Sequence, residues 1–241
     1  GKSTAMREIA LGLQGGHRIA NIFLEEGLGF TALSYIAMSN NIPPYKIEEN
    51  PKLLTIEQKE KGKELIKNMA FYRHFGSIDS QRLFNLLEYL VIGKGVEVVF
   101  LDHISLLISG MRSQDGDRKD LDILMTNLRS FTERTQAIVI CATQLKRKQK
   151  SYNEGEDITE ADSRGSGAIE HISDVIFSLN CNRNDDSPND AQIKILKNRI
   201  TGQLGDADLI SYNEKTGRYL PKNPIKEAHQ NDKNDFSEDL I

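Results

Sequence analysis

Residues 96–103, Val-Glu-Val-Val-Phe-Leu-Asp-His, form an apolar run of strand length that ends on a carboxylate. β-branched and aromatic side chains dominate it, and only Glu97 interrupts. That is the pattern of a strand buried on both faces of a parallel sheet. Open α/β sheets bind ligands at the carboxyl ends of their strands, so Asp102 is the first candidate site residue. Two other runs share this behaviour. Residues 19–24 end on Glu25-Glu26, and residues 137–142 end on Thr143-Gln144. Amphipathic helical patterns over 28–39, 80–91 and 118–135 lie around them, and right-handed crossovers bring all three ends to one sheet edge. Glu25 alone is read equally well as a cap on the helix that follows. The convergence of Glu25, Asp102 and Gln144 carries more than any one of them.

Composition narrows the class. In 241 residues, with 38% apolar and 27% charged side chains, the chain can bury one large α/β domain or two small ones. It contains no apolar run of eighteen residues and no signal-peptide pattern, so the expectation is a cytoplasmic protein without membrane contact. Cys141 and Cys181 lack metal-ligand spacing, which suits free thiols in a reducing compartment. A net charge of −4 gives no overall pull on nucleic acid, so any such binding requires a local basic patch.

The chain opens on Gly1-Lys2-Ser3-Thr4 at the head of a helical pattern. In a P-loop these residues close a turn of backbone N–H groups around phosphate, with Lys on the β/γ-phosphates and the hydroxyl on Mg²⁺. Only the tail of that motif is present, so the expectation is a fragment cut inside a phosphate-binding loop. Residues 40–54, with Pro43-Pro44, read as a loop. Residues 55–69 read as a solvated helix, and 71–75 as a short strand. After Gln144 comes Lys146-Arg147-Lys148-Gln149-Lys150, either a solvated loop or a surface for a polyanion. Ser163-Arg164-Gly165-Ser166-Gly167-Ala168 is either an ordinary loop or a place where backbone N–H groups approach phosphates. Residues 174–179 and 191–197 read as strands, and 207–220 as an antiparallel hairpin. Residues 1–220 are expected to form one domain, and 221–241 an acidic, disordered tail.

Together these residues suit NTP–Mg²⁺ hydrolysis. Lys2 would neutralise phosphate charge, and Ser3 and Asp102 would hold Mg²⁺. Glu25 would activate water, and Gln144 would sense the γ-phosphate and report to the basic loop beyond it. Arg199, late in the chain, is the candidate transition-state cation, acting on a neighbouring subunit.

The set Gly-Lys-Ser-Thr, Phe-Leu-Glu-Glu, Phe-Leu-Asp-His-Ile-Ser, Ala-Thr-Gln-Leu-Lys, Arg-Gly-Ser-Gly-Ala-Ile-Glu and Ile-Leu-Lys-Asn-Arg-Ile-Thr-Gly resembles the motor domain of hexameric replicative helicases. This is the DnaB family, and most closely the phage primase–helicases related to mitochondrial Twinkle. The resemblance covers about residues 1–220. It implies an α/β fold, a RecA-like P-loop NTPase core with a mostly parallel sheet flanked by helices and a C-terminal antiparallel hairpin. It implies a homo-hexameric ring translocating 5′→3′ on single-stranded DNA, driven by ATP or dTTP with Mg²⁺. It makes Gly1, Lys2, Ser3 and Thr4 nucleotide-binding, Glu25 the catalytic base, and Lys197 and Arg199 a pair acting in trans. Lys146, Arg147, Lys148, Lys150, Arg164, Gly165, Ser166 and Gly167 would face DNA. Tyr212 is read either as an aromatic against the base or as a plain hairpin tyrosine. The tail resembles those that dock on a replicative polymerase, and a primase would lie upstream. Where the family has a base-side arginine near position 181 this chain has Cys181, with Arg183 close by.

Two other functions fit parts of the pattern: a recombinase or clock-type RecA relative, and a replication adaptor that binds without turnover. Residues 1–241 alone are expected not to hydrolyse ATP, with restoration of about 30 preceding residues supplying the first strand of the unit.

Overall fold

The computed structural model describes residues 1–73, 80–108, 116–145, 158–159, 162, 166–181 and 186–222. Its centre is a parallel sheet of β1 (Ile19–Phe23), β2 (Met69–Tyr72), β3 (Val98–Asp102) and β4 (Ile138–Cys141), in the order β2-β1-β3-β4. Phe23 pairs with Asp102 and Leu101 with Cys141, so the strands end level with one another.

Both central strands are buried along their whole length. Ala20, Ile22, Val99 and Leu101 face a core built with Leu83, Leu87, Leu121, Leu124, Leu128 and Phe131. On the opposite face, Ile19, Phe23, Val98 and Phe100 pack with Met6, Ala10 and Tyr35. The period-two alternation of a strand therefore feeds two apolar layers. Each fully buried aliphatic or aromatic side chain stabilises the fold by about 1.5–3 kcal/mol. Cys141 is half-buried against the core, and that burial pushes its thiol up to about 12. It is chemically quiet, as its place in an apolar run implied.

The helices covering the sheet are α1 (Lys2–Leu13), α2 (Leu28–Ser39), α3 (Pro44–Glu49), α4 (Ile56–Ile66), α5 (Ser80–Glu88), α6 (Ile104–Ile108), α7 (Asp117–Thr135) and α8 (Ser166–Ile172). The expected loop at 40–54 contains α3 and a 3₁₀ turn, Pro51–Leu53. Proline at a first helical position starts a helix as readily as it breaks one, because its missing N–H would be unpaired there anyway. Ile47 and Leu54 of this stretch form a small core with Ala37 of α2. Thr55 is a cap, not a helical residue: its hydroxyl accepts from the Gln58 amide while Gln58 accepts from the Thr55 N–H. The helix expected to reach Met69 stops at Ile66, and Met69 begins β2. That strand starts two residues before the expected 71–75; residues 74 and 75 lie outside those described. The helix at 80–91 gives way at Tyr89 to a π-helical turn, Tyr89–Gly93.

Within α4, Gly62 is buried where α4 crosses α2. A Cβ there would come 2.5 Å from Ile36 Cγ2. Glycine at this position lets the two helices lie in backbone-close contact.

The predicted hairpin is part of a larger antiparallel sheet, β5 (Val175–Cys181), β6 (Asp190–Asn198), β7 (Gly205–Asn213) and β8 (Arg218–Pro221), in that order. Its last turn is fixed by Asn213, whose Oδ1 accepts from the Lys215 N–H at 2.9 Å, and by Gly217 at φ +70°. Strand β8 returns to α1. Glu8 accepts from Arg218 Nε and Nη2, the latter at 2.6 Å, and from the Tyr219 N–H at 3.1 Å. No helix among the described residues is long and apolar enough to cross a membrane.

Candidate functional site

The backbone ties the three strand ends together. The Leu24 N–H donates to the Asp102 carbonyl at 2.9 Å, and the Ile104 N–H to the Ala142 carbonyl at 3.0 Å. Polar side chains just past these points therefore emerge from a rigid edge. Asp102 is buried at 7% exposure, and the Ser3 hydroxyl donates to its Oδ2. Ser3 is in the first turn of α1, with Lys2 exposed beside it and Gly1 as the cap residue. The first turn of a helix offers N–H groups that lack intrahelical partners and carries the positive end of the helix dipole, which favours phosphate.

Glu25 and Gln144 reach the same place through a residue that sequence reasoning passed over. His103, 4% exposed, has Nε2 3.2 Å from Glu25 Oε1 and 3.0 Å from Gln144 Nε2. Its Nδ1 is buried with no partner among the described residues. The Asp102–His103 peptide is cis. The available signal was position alone: the residue after a site carboxylate, at the end of a buried strand.

Glu26 turns the other way. It pairs with the Arg7 guanidinium and accepts from the Thr31 hydroxyl at 3.2 Å. Arg7, on α1, is 5% exposed and lies over the Phe23 and Phe30 rings at 5.2 and 5.8 Å. A buried charge requires such a partner. By holding Glu26 inward the pair leaves Glu25 outward, 61% exposed, at the strand end. Composition gave no hint of this role for Arg7, one of several charged residues on an amphipathic helix.

Lys197 and Arg199 form a second group. Lys197 Nζ donates to the Glu170 carbonyl, and Arg199 Nη2 donates to the His171 carbonyl at 2.9 Å, both near the end of α8. Asp174 lies 3.6 Å from Arg199 and accepts two bonds from Arg129 Nη1, at 2.7 and 2.9 Å. These contacts hold the two cations at α8, not at Ser3 and Asp102. Tyr212 stacks edge-on against Tyr219 with centroids 5.6 Å apart. Burial raises the Tyr212 phenol and pushes that of Tyr219 up to about 12. The Tyr219 hydroxyl stands 2.6 Å from where a Cβ on Gly1 would be, so the aromatic pair adjoins the first turn of α1.

Lys146, Arg147, Lys148, Lys150, Arg164, Gly165, Arg183 and residues 223–241 lie outside the described residues. Of the expected DNA-facing set, Ser166 is described in its backbone as the first residue of α8, and Gly167 follows it.

A hydroxyl in contact with a buried carboxylate offers two hard oxygens. This suits Mg²⁺, which takes one or two protein oxygens and fills its shell with water and substrate phosphate. Among the described residues no cluster of three or more His, Cys, Asp or Glu is poised for a metal. The Ser3–Asp102 oxygen pair fits a phosphate-bound Mg²⁺.

The same fold occurs in known proteins. The family described as "DnaB-like helicase C terminal domain" matches residues 24–220. A "DNA helicase/primase" of Enterobacteria phage T3 is 34% identical over 229 residues, 92% of this chain and 40% of that protein. A "probable plasmid replicative DNA helicase" of Chlamydia psittaci is 27% identical over 175 residues, covering 66% of this chain and 37% of that protein. The chain thus spans about two-fifths of the length of these relatives. Among solved structures, an ATPase domain superposes with a TM-score of 0.75 at 17% identity, covering 92% of this chain and 81% of that one. A DnaB-like replicative helicase, solved to describe its interactions with primase, superposes at 0.70 and 18% identity, covering 86% and 51%. The two structural likenesses establish a common fold.

Proposed function

The chain belongs to the DnaB-like helicase C-terminal domain family, and from that membership we propose that it is the NTP-hydrolysing motor of a replicative DNA helicase, moving 5′→3′ on single-stranded DNA. The observation that carries this reading is the Ser3–Asp102 contact beside the Glu25–His103–Gln144 row, on one sheet edge. Lys2 and the first turn of α1, with Gly1 and Thr4, bind the phosphates of ATP or dTTP. Ser3 and Asp102 would hold Mg²⁺, which when bound would neutralise phosphate charge. Glu25, outward and exposed, takes the proton from the attacking water. Gln144 offers its amide to the terminal phosphate. Tyr212, half-buried against Tyr219, supports the base.

Lys197 and Arg199, held at α8, supply positive charge to the site of a neighbouring subunit. That role requires a ring of identical chains, and we take it to be a hexamer. Residues 146–150 and 164–167 line the path of the DNA strand. The acidic tail contacts a replicative polymerase, a primase domain lies elsewhere in the polypeptide, and the assembly works in the cytoplasm, that of a host cell if it is phage-encoded. The recombinase and adaptor readings gain no support from the family match.

The test is NTP hydrolysis by the full-length polypeptide with and without single-stranded DNA. DNA-stimulated turnover is expected, and Glu25→Gln should remove it by at least about 100-fold while nucleotide affinity stays within about threefold. Turnover near wild type in Glu25→Gln would put the base elsewhere.

A further inference from the structure

The arrangement around His103 Nε2 makes two opposite demands on one atom. A carboxylate only accepts hydrogen bonds, so Glu25 Oε1 at 3.2 Å needs a donor. An amide nitrogen only donates, so Gln144 Nε2 at 3.0 Å needs an acceptor. A ring nitrogen is one or the other. Rotating the Gln144 amide to present its oxygen does not resolve the conflict, since both neighbours would then compete for a single N–H. In either arrangement one neighbour is served and the other is not.

Among the described residues, nothing else fixes the ring's choice. Histidines with a set role are usually pinned through their second nitrogen. Here Nδ1 is buried with no partner among the described residues. The ring is 4% exposed and locked in the core at the end of β3, while the Glu25 side chain is 61% exposed. The ring is therefore the fixed post, and the carboxylate is the part that can swing.

We propose that His103 is a positioning residue that exchanges its Nε2 hydrogen bond between Gln144 and Glu25. Glu25 is held for catalysis only while a terminal phosphate draws Gln144 away. Without that phosphate the Gln144 amide, turned so that its oxygen faces the ring, accepts the Nε2–H and the carboxylate is displaced toward solvent; the ring keeps its Nε2 proton in both states. With it, the Gln144 amide turns to the phosphate oxygens and the ring is left to Glu25. Base orientation thereby becomes conditional on the presence of the bond to be broken, and phosphate release resets it. This inference rests on the roles proposed above for Glu25 and Gln144.

The experiment is a double-mutant cycle in the full-length polypeptide, reading kcat and KM for NTP hydrolysis together with nucleotide affinity. His103→Phe keeps a planar ring without a polar atom. It should lower kcat by about 10- to 100-fold with KM within about threefold. His103→Gln presents separate donor and acceptor atoms, so it should recover kcat to within about fivefold of wild type. Adding Gln144→Ala to His103→Phe should reduce kcat by at least about threefold less than adding it to wild type, because part of what Gln144 does passes through the ring. Multiplicative losses across the cycle would overturn the proposal, as would equal losses in the Phe and Gln variants. If His103→Phe does not unfold cooperatively, the cycle is read in the His103→Gln background. There, unequal effects of Gln144→Ala support the exchange and equal effects overturn it. Failure of the underlying reading is separate: wild-type turnover in Glu25→Gln would remove the base itself, whatever the cycle gives.

Discussion

The Ser3 hydroxyl donates to the Asp102 carboxylate across a sequence separation of 99 residues. One group stands on the first turn of a helix and the other at the end of the central strand, and their meeting joins the head of α1 to the sheet edge. Asp102→Asn keeps an acceptor for Ser3 but loses the charge a divalent cation needs. Turnover should fall by at least about 100-fold, with a thermal midpoint near wild type. Ser3→Ala should give a smaller loss that rising Mg²⁺ partly restores. A Mg²⁺ titration of both variants reads the difference.

Arg129, Asp174 and Arg199 predict a separation between stability and turnover. Asp174 is 47% exposed, so Asp174→Asn should change stability by less than about 1 kcal/mol. It also loosens the Arg199 side chain, which keeps its bond to the His171 carbonyl. DNA-stimulated hydrolysis should drop about tenfold through misplacement of that cation. Mixing this variant with Glu25→Gln subunits, and measuring turnover against the mixing ratio, tests whether the cation acts in trans.

Arg218 and Glu8 make a two-pronged, partly buried pair, and Glu8 also accepts from the Tyr219 N–H. Arg218→Ala should destabilise by about 1–3 kcal/mol in denaturant melts. Glu8→Ala should cost at least as much, and the double variant little more than the larger single change.

Acid should weaken one contact at the base of the central sheet. Glu97 accepts from the Arg18 N–H at 3.0 Å and lies 3.4 Å from His17 Nδ1. The Arg18 backbone bond, followed by the His17 contact, lowers its folded-state pKa below the ordinary 4.5. A depressed carboxylate stabilises the fold above its unfolded pKa and loses that contribution as pH falls through the folded one. Wild type should therefore exceed Glu97→Gln in melting temperature at pH 7, by a small margin, with the gap closing below pH 4.5. Melts of both chains across the acid range up to neutrality check this.

The basic run gives a prediction that does not depend on the geometry of the strand ends. Replacing Lys146, Arg147 and Lys148 with Ala should weaken single-strand binding. It should also flatten the salt dependence, by up to about 0.7 in log–log slope for each phosphate that is no longer neutralised. An unchanged slope would place the DNA on another surface.

What could be read from the residues alone depended on where the signal lay. Residues 98–102 announced themselves because burial on both faces demands an unbroken apolar run. The convergence of Glu25, Asp102 and Gln144 followed from parallel topology alone. His103 did not show, because its importance is the meeting of Glu25 and Gln144 from two other strands. Arg7 was hidden for a related reason: nothing local distinguishes a helical arginine that pairs inward from one that faces water. The helix at 44–49 was missed because Pro43-Pro44 reads as a breaker, although proline is tolerated at a first helical position.

Gly62 has a bearing on genetics. Its missing Cβ lets α4 rest on Ile36 of α2, the helix that follows Glu25 and Glu26. Gly62→Ala would push α2 outward without touching a single polar group at the strand ends. Because every polar side chain at the strand ends is retained, the lesion should be conditional: NTP hydrolysis is kept at low temperature and lost on warming. Suppressors should map to Ile36, where alanine removes both γ carbons that the added methyl group would meet. A temperature-sensitive allele far from the nucleotide would then have its origin in one added methyl group.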